Sequence, residues 1–247
     1  THGVGTDAAL DAFRDQTTTT APPVSAAPAI TTPATGTLPP PRLPAAGVYT
    51  YRTDGWEHVD VLGGSTHKYP ALTTLTVTSA GCGARLHWVI LKERVEDWEL
   101  CSSADGVELG RLGLQTHTFF GRGEENPSIC DMPALVVPVV PTAWSGEPEP
   151  RHCTLRKSEP WNHTIQRLGP ADLMVDGTPV RVVHIRMVIE KAGRWYEHST
   201  IDWWLDDAGL PLQMSSVKES KNDSGVIGDV VYTEKFTVSI VSRTPNT

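Results

Sequence analysis

The feature that most constrains this chain is a pair of alternating segments, Thr178–Ile189 (TPVRVVHIRMVI) and Trp195–Leu205 (WYEHSTIDWWL). In the first, Val183, Ile185, Met187 and Ile189 alternate with Val182, His184, Arg186 and Val188. In the second, Ile201, Trp203 and Leu205 alternate with His198, Thr200, Asp202 and Trp204. Residues two apart share one face of a strand, and β-branched and aromatic side chains suit a pleated surface, so both segments read as half-buried antiparallel strands. Lys191-Ala192-Gly193 fits a three-residue hairpin loop with its glycine in the left-handed conformation. That loop sets Ile185 opposite Ser199 and Arg186 opposite His198. A slip by one residue turns the charged set inward, so the parity of the register is better determined than the loop length.

The rest of the chain repeats the pattern. Gly47–Trp56 opens with a strand running to a turn at Asp54-Gly55, and Glu57–Leu62 alternates around Val59 and Val61. Leu72–Ser79, Ala84–Leu91, Val95–Cys101 and Val107–Phe120 follow, broken at Gly81-Cys82-Gly83 and Asp105-Gly106. Further on, Asp176-Gly177 is a two-residue type I′ signal joining Ala171–Val175 to the central hairpin. Pro211–Glu219 and Asp229–Ser242 complete the series, the latter with Tyr232, Phe236, Val238 and Ile240 on one side. Successive hairpins predict a meander with strands paired to sequence neighbours. The fold class is therefore all-β and mainly antiparallel, a curved sheet or open β-barrel with few short helices. Asp131–Leu135 and Asn162–Leu168 are the segments that offer a helical turn.

Two stretches break the pattern. Residues 1–46 hold eight of the 20 prolines, many Thr and Ala and few large apolar side chains. Such a segment cannot bury enough surface to offset its ordering entropy, so it reads as a linker or stalk, with at most a short helix at Asp7–Gln16. Residues 47–247 then form one antiparallel β domain. Within it, Arg122–His152 contains six prolines and no period. Proline removes a ladder donor, so this segment reads mostly as loop, with Ala134–Val140 as an edge strand at most.

The cysteines Cys82, Cys101, Cys130 and Cys153 are an even set without the close spacing of a zinc site. Three pairings are possible. Cys82–Cys101 and Cys130–Cys153 join nearest neighbours, each bracketing a hairpin or loop, and the second pins the 122–153 loop. Paired cysteines imply an oxidising compartment, hence export; reduced, buried cysteines are the alternative. A net charge of −8 argues against nucleic acid as a partner. No run approaches the roughly 18 apolar residues of a membrane span, so any membrane attachment is expected through an anchor preceding the stalk.

No phosphate-binding glycine loop, nucleophile elbow or HExxH occurs. The polar face of the central hairpin brings His184 near Thr200 and Asp202 and Arg186 near His198. An imidazole, a carboxylate and a guanidinium there can hold a metal or move a proton, but the solvent side of a sheet pairs such charges anyway. No catalytic residue, metal ligand or cofactor is assigned.

Ile201–Glu219 (IDWWLDDAGLPLQMSSVKE) carries a strand, an aspartate turn, Gly-Leu-Pro and a second strand, and Asp229–Pro245 (DVVYTEKFTVSIVSRTP) is a long closing strand. Both resemble bacterial envelope proteins of the LolA/LppX/LprG type, and the wider chain resembles an uncharacterised exported, stalk-anchored family of actinobacteria. The resemblance implies a strongly curved antiparallel sheet that carries lipid or lipoprotein without catalysis. On this reading Val183, Ile185, Met187, Ile201, Trp203, Leu212, Met214, Tyr232 and Phe236 lie on or near a concave apolar face that binds a lipid or another apolar molecule. The second reading is an envelope scaffold or interaction module that recognises a protein or glycan through the 122–153 loop.

Overall fold

The computed structural model describes residues 42–60, 63–119, 122–139, 146–155, 159–193, 195–223 and 228–246. Residues 1–41, which contain most of the predicted stalk and its short helix, lie outside the described residues, as do Val61 and Leu62. The strands in chain order are β1 (Gly47–Asp60), β2 (Ser65–Lys68), β3 (Leu72–Ala80), β4 (Gly83–Leu91) and β5 (Arg94–Ser102). Next come β6 (Gly106–Phe119), β7 (Arg122–Cys130), β8 (Ala134–Pro138), β9 (Glu149–Leu155) and β10 (Glu159–Val175). The series ends with β11 (Thr178–Lys191), β12 (Trp195–Leu205), β13 (Pro211–Asp223) and β14 (Asp229–Ile240).

Every ladder is antiparallel, and the order β1-β3-β4-β5-β6-β7-β9-β10-β11-β12-β13-β14 follows the sequence around the sheet. Residues Tyr51–Asp60 of β1 then pair with β14. The curved sheet is therefore a closed twelve-stranded barrel. β2 and β8 stand outside the ring order: β2 takes over from β3 beside the second half of β1, and β8 pairs with Gly106–Leu109 of β6.

The predicted turns at Asp105-Gly106 and Asp176-Gly177 fall between paired strands, as does the break at Gly81-Cys82. Asp176 and Gly177 both have positive φ, 49° and 73°, the requirement of a type I′ turn. A Cβ added at Gly177 meets nothing within 4 Å, so substitution there tests backbone preference alone. Gly177→Ala is expected to destabilise the fold by about 1 kcal/mol, the cost of a left-handed L-residue, read as a lower urea midpoint at unchanged m-value.

Asp54-Gly55, expected as a turn, instead lies inside β1. A Cβ at Gly55 would stand 2.3 Å from the Phe236 Cβ, so glycine there permits the close approach of β14 rather than a reversal. The central hairpin keeps its parity, but Ile185 faces Trp203 and Arg186 faces Asp202, four residues from the expected register. The loop is longer than three residues, and an even shift leaves every side chain on its predicted face.

No helix occurs among the described residues, and neither expected helical turn forms. Asn162–Leu168 lies in β10, where His163, Ile165 and Arg167 are buried and their neighbours more exposed, a period of two rather than 3.6. Ala134 and Leu135 open β8. Arg122–His152, expected mostly as loop, supplies β7, β8 and the first half of β9. Its prolines are tolerated because the β7–β9 ladder is only Ser128–Cys130 against Leu155–Cys153. Pro127 and Pro150 lie just beyond that ladder, where each strand has a neighbour on one side. The Cys130–Cys153 disulfide staples this short seam at directly opposed positions, and Cys82–Cys101 forms the other bridge.

Twelve strands enclose more space than aliphatic side chains fill, since about eight already make a barrel that side chains just occupy. At one end the filling is aromatic. Trp88, Trp98 and Trp203 meet edge to face with ring centroids 5.9 and 5.1 Å apart, and Tyr51 packs on Trp88 at 5.0 Å. Leu75, Leu86, Leu100, Leu205 and Leu212 complete a fully buried core around them. The Tyr51 hydroxyl donates to the Pro211 carbonyl oxygen at 2.6 Å, so its polar end is matched.

Candidate functional site

The other end of the interior is polar. Along several strands the inward parity begins apolar and continues into charged or hydrogen-bonding residues. Leu100 and Trp98 are followed by Glu96 and Arg94, Phe236 by Glu234 and Tyr232, and Trp203 and Ile201 by Ser199 and Glu197. Register carries these residues around the wall as a belt. Arg151 pairs with His163, His163 with Ile189, and Ile189 with Ser199. Ser199 then pairs with Lys218, Lys218 with Glu234, Glu234 with Glu57, and Glu57 with His67.

On one side of the belt the charges pair with one another, although Glu57 Oε1, Arg94 Nε and Glu234 Oε1 make no hydrogen bond among the described residues. Arg94, 3% exposed, donates to the Glu96 and Glu234 carboxylates and to the Tyr69 hydroxyl at 2.8 Å. The Tyr232 hydroxyl lies 2.6 Å from Glu234 Oε2 and 3.0 Å from Glu57 Oε2. His67 and His117 approach the same Glu57 carboxylate at 3.5 and 3.4 Å. Burial raises the Glu57 pKa, but hydrogen bonds from His117 and His67, with the fields of His117 and Arg94, outweigh it and hold the carboxyl well below the usual range. Burial pushes the Tyr69 and Tyr232 phenols up, so both stay protonated donors.

On the other side the belt opens into a chamber of about 100 Å³. β5, β6 and β7 form one wall with Glu96, Trp98, Gln115 and Asn126. The facing wall carries Arg151, Trp161, His163, Glu197, Ser199 and Lys218 from β9, β10, β12 and β13. Between Trp98 and Leu100 the β5–β6 register jumps from Gly113 to Leu109, so Gly110, Arg111 and Leu112 form a bulge that also lines the chamber. Bulges commonly re-aim the wall beside binding sites. Asn126 Oδ1, Trp161 Nε1, His163 Nε2 and Glu197 Oε2 are buried there without a hydrogen-bond partner. Glu197 Oε1, by contrast, accepts from Ser199 Oγ at 2.9 Å and from Lys218 Nζ at 3.0 Å. Burial and the field of Arg151 bring the His163 pKa down to about 4, so its ring is neutral at pH 7.

The nine residues expected on the apolar face all point inward but divide by depth. Val183, Ile185, Met187, Trp203, Leu212, Met214 and Phe236 belong to the packed core. Met187 also lines the apolar floor of the chamber, with Ile201, and Tyr232 belongs to the Glu57 network. The chamber's polar residues were missed by sequence reasoning. Their signal was the unbroken parity itself, in which a charge two residues beyond a core tryptophan still faces the core.

The polar outer face of the hairpin forms as a structural cluster. Arg186 grips Asp202 through Nε and Nη2 at 3.0 and 3.1 Å, and His184 Nε2 lies 2.8 Å from Asp202 Oδ1. His198 turns instead toward Glu190, at 3.5 Å. Cys130, Cys153 and His163 are the only group among the described residues close enough to share a metal, but the two sulfurs are bonded to each other. Comparison with protein-family models, curated proteins and solved structures finds no match for this chain.

Proposed function

We propose that this chain is an exported, non-catalytic binding domain that takes a small polar ligand into the chamber of its barrel. The Pro/Thr-rich residues 1–46 hold it away from the cell envelope. The observation that carries the reading is the group of four unpartnered polar atoms on Asn126, Trp161, His163 and Glu197. An unmatched buried polar group costs about 1–3 kcal/mol, so water or a ligand has to answer four of them in one space. The two disulfides support an oxidising location. A lipid is the poorer fit. Seven of the nine apolar positions expected to hold one belong to the packed core, and a chamber of about 100 Å³ is smaller than the roughly 150 Å³ that accommodates benzene.

A thermal-shift screen of small polar solutes on the full chain tests this. A ligand at a hundred times its Kd adds about 2.7 kcal/mol, a Tm rise of roughly 5–10 °C for a domain of this size. Ile201→Trp, which fills the chamber floor, is expected to stay folded and lose the shift. A screen in which no solute moves Tm, together with crystals whose chamber holds only water, overturns the proposal.

One observation favours an interaction module instead. Leu112 and Ile129 are directly paired and about half exposed, and Met132, three residues beyond Ile129, is 55% exposed. That reading expects a photocrosslinker at position 129 to capture an envelope protein, and Ile129→Lys to abolish its binding while leaving solute binding intact.

A further inference from the structure

Arg151 differs from the other buried cations of the interior. Arg94 has Glu96 and Glu234, Lys218 has Glu197, and Arg167 has Glu149. Arg151 is 3% exposed, yet its Nε and Nη2 donate only to backbone carbonyl oxygens, those of Met132 at 3.1 and 2.8 Å and of Gly110 at 2.9 Å. No carboxylate among the described residues forms an ion pair with it; the field of Asp131 reaches it without contact. The carbonyls fix the guanidinium plane but leave its charge uncompensated, which is costly in a low-dielectric interior. None of its hydrogen bonds among the described residues uses Nη1.

The unpartnered atoms narrow the chemistry further. Trp161 Nε1, two residues from His163 on β10, is a donor only, so it requires an acceptor. Glu197 Oε2, on the β12 side, is an acceptor only, so it requires a donor. Asn126 and neutral His163 can serve either way, by turning the amide or shifting the tautomer. Along one wall of the chamber, the β9 and β10 residues therefore offer a positive charge and an N–H, and β12 a free carboxylate oxygen.

We infer that the chamber's occupant is a small carboxylate with a hydrogen-bond donor at its far end, a hydroxy acid or an amino acid, an assignment that rests on the chamber reading above. The carboxylate sits against Arg151 and Trp161, where it supplies the ion pair that no described carboxylate gives this guanidinium. The hydroxyl or ammonium group reaches Glu197 Oε2. Met187 and Ile201 form the apolar floor that receives a methyl or methylene between the two ends. The volume limits the molecule to a few carbons.

Calorimetric titration of the full chain at pH 7 with lactate, alanine, propionate, lactamide and 2-aminoethanol tests the assignment. Lactate or alanine is expected to bind at least tenfold tighter than propionate, which lacks the donor, and at least tenfold tighter than lactamide, which lacks the charge. The better of the two distinguishes a hydroxy acid from an amino acid. Arg151→Gln is expected to weaken the acid at least tenfold, and Glu197→Gln to erase its advantage over propionate. A measurement on the unaltered protein stands beside the variants: a carboxylate against Arg151 offsets its field, so the His163 ring titrates at higher pH in the bound state, followed by NMR. Lactamide or 2-aminoethanol binding as tightly as the acids overturns the carboxylate assignment and leaves the chamber reading standing. Failure of all five to bind removes both.

Discussion

Arg94→Leu is expected to destabilise the barrel by about 3–5 kcal/mol, the usual cost of removing one member of a buried ionic cluster. The loss does not come from packing, since leucine fills much of the same stem volume. It comes from the partners left behind. Glu234 and Glu57 are fully buried, Glu96 nearly so, and Arg94 is the cation that faces all three. Without it, Glu234 keeps the Tyr232 hydroxyl and Glu57 keeps its histidines, but the carboxylates face each other across a water-poor space. Arg94→Lys is expected to recover only part of the loss, because one ammonium cannot reach Glu96 and Glu234 with the spread of a guanidinium. Adding Glu234→Leu to Arg94→Leu is expected to restore stability relative to Arg94→Leu alone, because it removes an orphaned charge. Urea unfolding of the three variants checks the order. Arg94→Leu within 1 kcal/mol of the unaltered protein would show that the cluster is neutralised by protonation rather than by the guanidinium.

The same cluster shows what the sequence made legible and what it did not. Which face of each strand turns inward was readable from Ile185, Met187 and Trp203, because side chains alternate whatever the neighbouring strand does. The cysteine pairs were readable for a related reason: one bridge ties the β3–β4 turn to β5 and the other joins paired β7 and β9, so each links near neighbours in the meander. Register was not readable. The hairpin loop after Lys191 is set by its own backbone, and moving it by four residues costs the alternation nothing. Closure was also hidden, because pairing β14 with β1 depends on the summed curvature of every strand between them. The chamber escaped for a subtler reason. Glu96, Glu197 and Glu234 sit where a polar residue ordinarily signals a strand leaving the core, and only closure places them inside. Proline misleads in the opposite direction: the edge strand expected at Ala134–Val140 forms as β8, but the prolines of 122–153 hide β7 and β9, because a strand with one open side accepts them.

Acid is expected to weaken this fold in two successive windows. His163 titrates near 6.5 in the unfolded chain and near 4 in the barrel, where burial and Arg151 disfavour its charge and only Glu197 favours it. Between those values the unfolded chain holds more protons, so stability rises with pH there. The contribution is complete above pH 6.5 and is lost as pH falls toward 4, a total of about 3 kcal/mol. His117, lowered chiefly by burial, acts with the same sign. Glu57 extends the loss downward. Its folded pKa lies below the unfolded value near 4.3, so its contribution is present above that value and disappears as pH drops further. Each proton the unfolded chain takes up in excess steepens the fall by about 1.4 kcal/mol per pH unit. Urea midpoints measured from pH 7.5 to 3.5 are expected to decline from about pH 6.5, well before ordinary carboxylates titrate. His163→Gln, which keeps a neutral polar group against Trp161, is expected to shrink the upper window to what His117 contributes and leave the lower one. A profile level from pH 7 to 5 in the unaltered protein would mean that His163 and His117 are as free to charge in the barrel as in water.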